Sequence, residues 1–310
     1  MRTYPLPSRR QRGAALLTAM IIVTLVATLA AAMVWQQWRA VQVEISERAR
    51  AQAAWILSGA LDFAKVILRE DRKNYTALTE PWATPLAESR ISTFLAVDKS
   101  NADDGPEAFL SGNIDDAQAR YNLNNIVDAD GKPVVAEVNI LRELCEAVGV
   151  GSGTADLIAT GLSGTGKFNA ASRLPPRTIA QLAWLGLDAN TVQALAPYVV
   201  LIDRGALVNV NTAPKEVLSA VLGVDPGTAE NLLRLRQRAP FKTLEEFKLQ
   251  VTAGKPDFSR VVTRSDYFEV RARLRLADRV LVERSLLHRL PTTFNVLDRE
   301  RVASLEQVGG

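Results

Sequence analysis

The sequence is poor in the residues that build most enzyme centres. Its 310 residues include one cysteine, Cys145, and one histidine, His288. A single cysteine excludes an intramolecular disulfide and a cysteine-based zinc cluster. A single histidine excludes a two-histidine metal site and leaves little room for a Ser-His-Asp triad. Cys145 lies in an apolar helical pattern, so we interpret it as a core residue. We therefore expect a protein that is not an enzyme; a membrane-anchored hydrolase is the alternative against which this scarcity argues.

A marked excess of charge is missing as well. The chain has 37 basic and 34 acidic side chains, and four of the arginines lie in its first 13 residues. Without those residues, 33 basic side chains face 34 acidic ones, so the remainder is nearly neutral. Nucleic-acid binding normally depends on a broad positive field, and the composition argues against it.

No charged residue occurs between Ala14 and Trp35, a run of 22 residues. As a helix, this run would extend roughly 33 Å at about 1.5 Å per residue, enough to cross the hydrocarbon core of a bilayer. The preceding arginines predict a cytoplasmic N-terminus and an exported remainder. The small-residue junction Gly13-Ala14 precedes the apolar run. In a secretory signal, by contrast, the cleavage site follows the apolar run. An uncleaved single-span anchor is the alternative.

Proline is absent from residues 14–80, and the helical pattern continues beyond the apolar run. We predict one helix over Ala14–Leu68, apolar all round at first and amphipathic afterwards. Its second half requires a partner, most simply a sheet of the same chain. The apolar positions that recur every three or four residues are Val41, Ile45, Ala49, Ala53, Ile56, Ala60, Phe63 and Ile67.

The middle of the chain repeats with an offset of 37 residues. Segments that begin at Gly149, Gly186 and Gly223 each predict a helix, a tight glycine turn and a second helix begun at a threonine. These units resemble helix-hairpin-helix motifs, which often bind DNA phosphates through backbone amides of the turn. Asp188 and Asp225 stand at the second glycine position of two units, where a carboxylate would repel a phosphate. We therefore expect packing or partner docking, with DNA binding as the alternative.

Two further patterns in this region have plain interpretations. Arg234, Arg236 and Arg238 form its one local basic cluster, which is typical of a solvated helix face. The run at residues 161–168 resembles a phosphate-binding loop, but Phe168 replaces the serine or threonine that would bind magnesium. We interpret this run as a linker.

Near the C-terminus the hydrophobic period becomes two. From Tyr267 to Leu276 apolar and charged residues alternate, Ala277-Asp278 predicts a turn, and residues 279–290 predict the returning strand. Thr293–Leu297 predicts a short edge strand. This hairpin can cover the apolar stripe of the long helix and join strands near residues 109–125.

The leader Arg10-Gln11-Arg12-Gly13, followed by Ala14-Ala15-Leu16-Leu17-Thr18, resembles the leader of type IV prepilins and type II secretion pseudopilins. The resemblance implies cleavage between Gly13 and Ala14 by a prepilin peptidase and N-methylation of Ala14. Most members have glutamate at the fifth mature position, where it pairs with the terminal amine of a neighbouring subunit. Thr18 at that position narrows the resemblance to the K-type minor pseudopilins.

The K-type resemblance extends over nearly the whole chain. It includes the strand and Asp-rich turn at residues 109–120, the Tyr121-Asn122-Leu123-Asn124 signature, the repeats and the terminal hairpin. It implies an α+β fold: a pilin-like long N-terminal helix packed on a small antiparallel sheet, with an inserted all-α domain of helix-hairpin-helix-like repeats. We expect a leader (1–13), a transmembrane part of the helix (14–35), a first pilin-like part (36–126), the inserted helical domain (127–257) and a second pilin-like part (258–310).

The resemblance also implies a function. A K-type minor pseudopilin caps the tip of the type II secretion pseudopilus with I-type and J-type subunits, and helps assembly initiation, length control and export of folded proteins. The implied partners are these subunits, the prepilin peptidase, the inner-membrane secretion platform and exoproteins, but no nucleic acid. The chain would be single-pass in the inner membrane, with its bulk in the periplasm. The competing hypothesis is a membrane-tethered, competence-type DNA-binding protein.

The family often binds calcium through acidic loops. In this sequence the long Asp-rich insertion of the helical domain is missing, and the calcium candidates are Asp115, Asp116, Asp128 and Asp130. Asp128-Ala129-Asp130-Gly131 is too short for an EF-hand loop, and turn formation explains these aspartates equally well. No other cofactor is expected.

Overall fold

A computed structural model describes residues 11–71, 73–91, 108–163, 174–251, 254–276 and 279–303. The chain divides into two units, residues 1–56 and residues 57–310. Helix α1 runs without interruption from Gln11 to Glu70. The prediction of one long helix over Ala14–Leu68 is therefore confirmed, because no proline breaks the segment.

The second unit contains a five-stranded antiparallel sheet. Its strands are β1 (Leu86–Arg90), β2 (Ala108–Asp116), β3 (Tyr267–Leu276), β4 (Arg279–Arg289) and β5 (Phe294–Ala303), and they lie in that order across the sheet. β2 pairs with β3 over its whole length, with Ala108 opposite Leu276 at one end and Asp116 opposite Phe268 at the other. A strand from the first half of the chain therefore lies beside the C-terminal hairpin. The predicted pairing is confirmed.

The end of α1 packs on one face of this sheet. Leu61, Ala64 and Leu68 form a buried cluster with the indole of Trp82 and the ring of Phe268. The two rings meet edge to face with their centroids 5.5 Å apart. Truncation of a fully buried leucine such as Leu68 typically costs about 2–5 kcal/mol, so this cluster is a major source of stability. The sheet predicted as partner for the end of the helix is confirmed, but the predicted apolar stripe was wrong in its positions. The buried positions are Ala53, Leu57, Leu61, Ala64 and Leu68, and Ala53 is the one member of the predicted stripe among them. The helix carries two neighbouring apolar rows, and only packing shows which row faces the core.

Between β2 and β3 the chain forms the helical module, which we define as residues 135–248. Three of its turns hold a glycine with a positive φ, namely Gly149 (77°), Gly186 (97°) and Gly223 (64°), a conformation that other residues adopt only with strain. The three predicted hairpins are therefore present. Their helical segments are α2 (Val135–Ala147) and α3 (Gly153–Leu162), the 3-10 helix Ile179–Leu185 and α4 (Ala189–Leu195), and α5 (Lys215–Leu222) and α6 (Pro226–Arg238), followed by α7 (Leu244–Lys248).

Short elements complete the description. Two parallel strand pairs of two residues each, Tyr121–Asn122 with Val199–Val200 and Val208–Asn209 with Val261–Val262, connect the helical module to its flanking segments. The remaining 3-10 helices are Pro81–Ala83, Ala117–Ala119, Leu123–Ile126 and Phe258–Arg260. A buried apolar core, separate from the cluster beneath the sheet, fills the module around Leu141, Leu144 and Leu218.

Some predicted elements differ from the structure or lie outside its described residues, and one strand was not predicted. The edge strand expected over Thr293–Leu297 is the ten-residue β5, because charged residues continue its pairing with β4. Strand β1 had no sequence signal, since its five residues are mostly polar. The linker predicted at residues 161–168 was wrong at its start, because Gly161 and Leu162 end a helix and Leu162 packs in the core of the module. The rest of that linker from residue 164, the leader before Gln11 and the turn at Ala277-Asp278 lie outside the described residues. The domain boundaries remain a prediction.

Candidate assembly site

The first part of α1 carries a long exposed apolar surface. The large apolar side chains from Leu16 to Ile45 each keep 54–66% of their surface accessible. The helix is long and apolar enough to cross a membrane, with a mean hydropathy of 2.4 over its most apolar 18 residues. Exposed apolar area of this extent marks a surface that lipid or other protein must cover.

The predicted processing and assembly residues lie at the start of this helix. Gly13 and Ala14 are within its first turns, and Thr18 is exposed one turn further on. Cleavage, N-methylation and the role of Thr18 are chemical predictions that stand on the sequence.

Asp116 lies at the end of β2, where the sheet meets the helical module, and its side chain is buried. Its Oδ2 atom accepts hydrogen bonds from Thr212 Oγ1 (2.6 Å), Asn209 Nδ2 (2.9 Å) and Ser265 Oγ (2.6 Å). Its Oδ1 atom accepts from the backbone N–H of Gln118 at 2.8 Å. Burial raises the pKa of Asp116, and these hydrogen bonds oppose that rise by stabilising the carboxylate.

The asparagines after β2 continue this contact along the module. The side-chain amides of Asn122, Asn124 and Asn125 donate to the backbone carbonyls of Asp203 (2.8 Å), Ile202 (2.7 Å) and Ala206 (3.0 Å), respectively. Two of the three side chains also accept backbone N–H groups from the same loop, at Ile202 and Gly205. Asn122 caps the following turn as well, by accepting from Asn124 N.

We name this contact the polar seam. It consists of the hydrogen bonds that residues 116–125, together with Thr76 and Ser265, make with residues 202–212. Sequence analysis missed it because it joins segments about 80 residues apart, and only the asparagine spacing hinted at it.

Arg289 extends the polar seam to the end of α1. Its Nη2 atom donates to Ser265 O and to Thr76 Oγ1, and its Nη1 atom lies 3.4 Å from Asp71 Oδ2. Asp71 directly follows α1, and Thr76 O accepts from Asn209 Nδ2 at 3.0 Å. A continuous set of polar contacts therefore connects the end of the long helix, the sheet and the helical module.

The four calcium candidates lie in two places: Asp115 and Asp116 end β2, and Asp128 and Asp130 share one turn. Asp116 is in the polar seam, and Asp115 accepts from Asn113 Nδ2 on β2. Asp128 closes a turn by accepting the backbone N–H groups of Asp130 and Lys132, both at 2.9 Å. Within the described ranges, no three His, Cys, Asp or Glu side chains have the arrangement of a metal site. Calcium binding remains a prediction from the resemblance.

The hairpin turns bear on the DNA-binding alternative. Asp188 Oδ1 accepts the backbone N–H groups of Asn190 (2.9 Å) and Thr191 (3.0 Å) at the start of α4. Asp225 makes the same two bonds to Gly227 and Thr228 at the start of α6. The expectation that threonine begins these helices was wrong, because aspartate caps them and threonine is the third helical residue. The amides that would hold a phosphate are thus bonded to a carboxylate of the chain.

One arginine of the local basic cluster is not on a solvated face. Arg236 is 9% exposed, and its Nη1 atom donates to the carbonyls of Val210 (2.8 Å) and Ala213 (2.6 Å). Burial lowers the pKa of Arg236 to about 10. Arg234 and Arg238 are exposed, as predicted. The single inward-facing position reflects the helical period, which the charge pattern alone does not reveal.

The structure also locates the single cysteine and the single histidine of the sequence. Cys145 is buried in the core of the module, and burial raises the pKa of its thiol to about 11, which fits the predicted core role. The imidazole of His288 stacks on the ring of Tyr267 with centroids 4.3 Å apart. Neither residue lies in a nucleophilic arrangement among the described side chains.

An exposed apolar N-terminal helix, whose end packs on an antiparallel sheet, defines a pilin-like class of protein; the inserted helical module distinguishes this chain within it. A family model described as type II secretion system (T2SS), protein K, matches residues 208–270. The chain is 27% identical to type II secretion system protein K of Pseudomonas aeruginosa, over 91% of this chain and 90% of that protein. The protein of the same name from Pectobacterium carotovorum is 28% identical, over 94% of this chain and 96% of its own length. Over nearly its whole length, the chain is thus similar to type II secretion system protein K.

A solved structure shares the fold. It is that of the GspK-GspI-GspJ complex from the type 2 secretion system of enterotoxigenic Escherichia coli, with a TM-score of 0.59 and 19% identity. The match covers 84% of this chain and 99% of the matched chain. The mixed α+β fold predicted from sequence is therefore confirmed.

Proposed function

We propose that this chain caps the tip of the type II secretion pseudopilus together with I-type and J-type subunits. The observation that carries the proposal is the exposed apolar surface of α1, which has no acidic residue from Ala14 to Trp35. Such a helix can leave lipid for a bundle of similar helices. Thr18 cannot form the ion pair that a glutamate offers to a subunit above, so the chain suits the end position.

The proposal includes a maturation step and a location. A prepilin peptidase cleaves between Gly13 and Ala14 and the new amine of Ala14 is methylated. Arg2, Arg9, Arg10 and Arg12 keep the leader in the cytoplasm, so the sheet and the helical module reach the periplasm. The inner membrane holds the subunit until the secretion platform moves the helix into the pseudopilus.

The helical module gives the tip position a physical reason. Its helices run from Val135 to Lys248 as an insertion between β2 and β3, which adds a second core to the sheet domain. We propose that this bulk hinders a further subunit from stacking, which would start assembly and limit length. Export of folded exoproteins follows from the position, and the role is non-enzymatic.

Two variants test the tip position. In Thr18→Glu, the glutamate restores the missing ion pair, so we expect subunits along the shaft and longer pseudopili by immunogold electron microscopy. Thr18→Gln places a side chain of similar length but without the charge at the same position and serves as the matched control, with no gain of shaft labelling expected. Labelling of the unmodified protein evenly along the shaft would contradict the proposal.

A further inference from the structure

We infer that Asp116 is a positioning residue that holds the helical module in one orientation on the sheet. The importance of this orientation rests on the proposed function, because the module must stay in one orientation to block the stacking of a further subunit. The inference itself concerns the contact between two parts of the second unit.

The chemistry of the site requires a carboxylate. Oδ2 of Asp116 receives three donors from two segments, Asn209 and Thr212 from one and Ser265 from the other, and Oδ1 receives the N–H of Gln118. An ionised carboxylate offers two acceptor-only oxygens, whereas an asparagine must present an NH₂ group on one side. That group would face either the Gln118 N–H or the donors of Thr212, Asn209 and Ser265. Asparagine therefore preserves the shape of the side chain and breaks the contact.

Few buried apolar side chains lie between the module and the sheet. The core of the module and the core beneath the sheet are separate clusters of buried residues. A small cluster of Ala117, Val200, Ile202 and Tyr267 lies between the two parts. Apolar contacts are non-directional, whereas a buried and fully paired polar network favours one arrangement.

The three asparagines of the polar seam bind backbone groups of the module rather than its side chains. Asn122, Asn124 and Asn125 bind carbonyls and amides of residues 202–206, which fixes the position of that loop. Thr212 and Asn209 then bring the segment before α5 to Asp116. Arg289 links the same network to Asp71 after α1. Asp116 is the shared acceptor of the sheet and module donors.

The test measures how broadly the distance between the sheet and the helical module is distributed. Spin labels are placed at exposed positions, Arg271→Cys on β3 and Arg238→Cys on α6, in the full chain in neutral detergent; native Cys145 is buried. Pulsed electron resonance should give one narrow distance in the parent protein. With Asp116→Asn we expect a distribution at least about twofold broader at unchanged helix content, because the buried donors lose their common acceptor. Secretion should fall about tenfold at normal subunit levels.

A milder variant has a matched control. Thr212→Val removes one hydroxyl that donates to Asp116 at 2.6 Å, and Thr228→Val removes a hydroxyl that donates to Asp225 at the same distance within a single helix start. Only Thr212→Val should broaden the distribution. If Asp116→Asn does not fold, this pair decides the question. An unchanged narrow distance in Thr212→Val and in any folded Asp116→Asn would overturn the inference. The distance does not depend on the pseudopilus, so it separates this inference from the tip proposal.

Discussion

The apolar half of α1 exposes apolar side chains, whereas the polar seam buries polar ones. In the helix, apolar side chains lie exposed, although burial would stabilise them by about 25 cal/mol per Å². In the seam, polar side chains are buried, but the carboxylate of Asp116 has four donors. The helix therefore needs lipid or partner subunits, whereas the hydrogen bonds of the seam are made within one chain. The comparison separates the residues that serve assembly from those that maintain the fold.

The largest expected effect comes from a charge in the exposed helix. Leu25→Lys places a cation at the centre of the apolar run, at a cost of about 2.5–3.5 kcal/mol for membrane insertion. We expect the carbonate-resistant membrane fraction and secretion to fall about tenfold or more. Leu25→Met is the matched control and should behave as the parent. Normal secretion by Leu25→Lys would show that this helix needs no apolar environment.

The next effect concerns the buried arginine of the module. Arg236→Met removes two charge-assisted hydrogen bonds and leaves the carbonyls of Val210 and Ala213 without a donor. We expect the free energy of unfolding to fall by about 2–4 kcal/mol in urea titrations. Arg238→Met, on the exposed face of the same helix, should change it by less than about 0.5 kcal/mol. Equal effects of the two substitutions would contradict the burial of Arg236.

A smaller effect should appear on acidification. Burial opposes the charge of Glu269, but Arg120 Nη2 at 2.8 Å and Arg284 Nε at 3.6 Å hold its pKa below the ordinary value of 4.5. A lowered pKa means that the stabilisation is present above about pH 4.5 and is lost as the pH falls through the folded pKa. Thermal unfolding from pH 7 to pH 3 should show this loss.

The Glu269→Gln variant provides the comparison. It should be less stable than the parent at pH 7 and should converge with the parent near pH 3. Asp116, whose pKa burial raises, should contribute the opposite slope, because its folded form accepts a proton more readily than its unfolded form. A parent–variant difference that stays constant with pH would show that the Glu269 ion pairs contribute nothing.

The smallest effect is expected at the helix caps. Asp225→Ala leaves the amides of Gly227 and Thr228 uncapped, so the melting temperature should fall slightly at pH 7. Hydrogen bonds from Thr228 lower the pKa of Asp225, so the difference should vanish at a pH below the folded pKa. Calorimetry at both pH values measures this, and a rise in melting temperature at pH 7 would mean that the cap strains the turn.

Periodicity and turn chemistry predicted much of the fold. The apolar run, the 37-residue repeat and the alternation after Tyr267 each report a local pattern, and local patterns determine helices, turns and strands. The polar seam was not predictable, because its partners are far apart in sequence and hydrogen-bond to backbone groups common to every residue. Arg236 was misjudged for a related reason: charge indicates an exposed position, while only packing shows which side of a helix faces the core.

The candidate assembly residues, by contrast, were not identified from local patterns in the sequence. Gly13, Ala14 and Thr18 were identified through resemblance, and the roles proposed for them would depend on a peptidase and on neighbouring subunits rather than on contacts within the chain. For Asp115, Asp116, Asp128 and Asp130 the sequence offered two interpretations, and the hydrogen bonds of Asp116 and Asp128 fit anchoring and turn formation.

The intact mass of the chain extracted from membranes tests the central claim most directly. If the helix serves a processed pseudopilin, the mass should correspond to residues 14–310 plus one methyl group, and fragmentation should place that methyl on the amine of Ala14. A chain that retains the arginines before Gly13 would contradict the account and would favour an uncleaved membrane anchor.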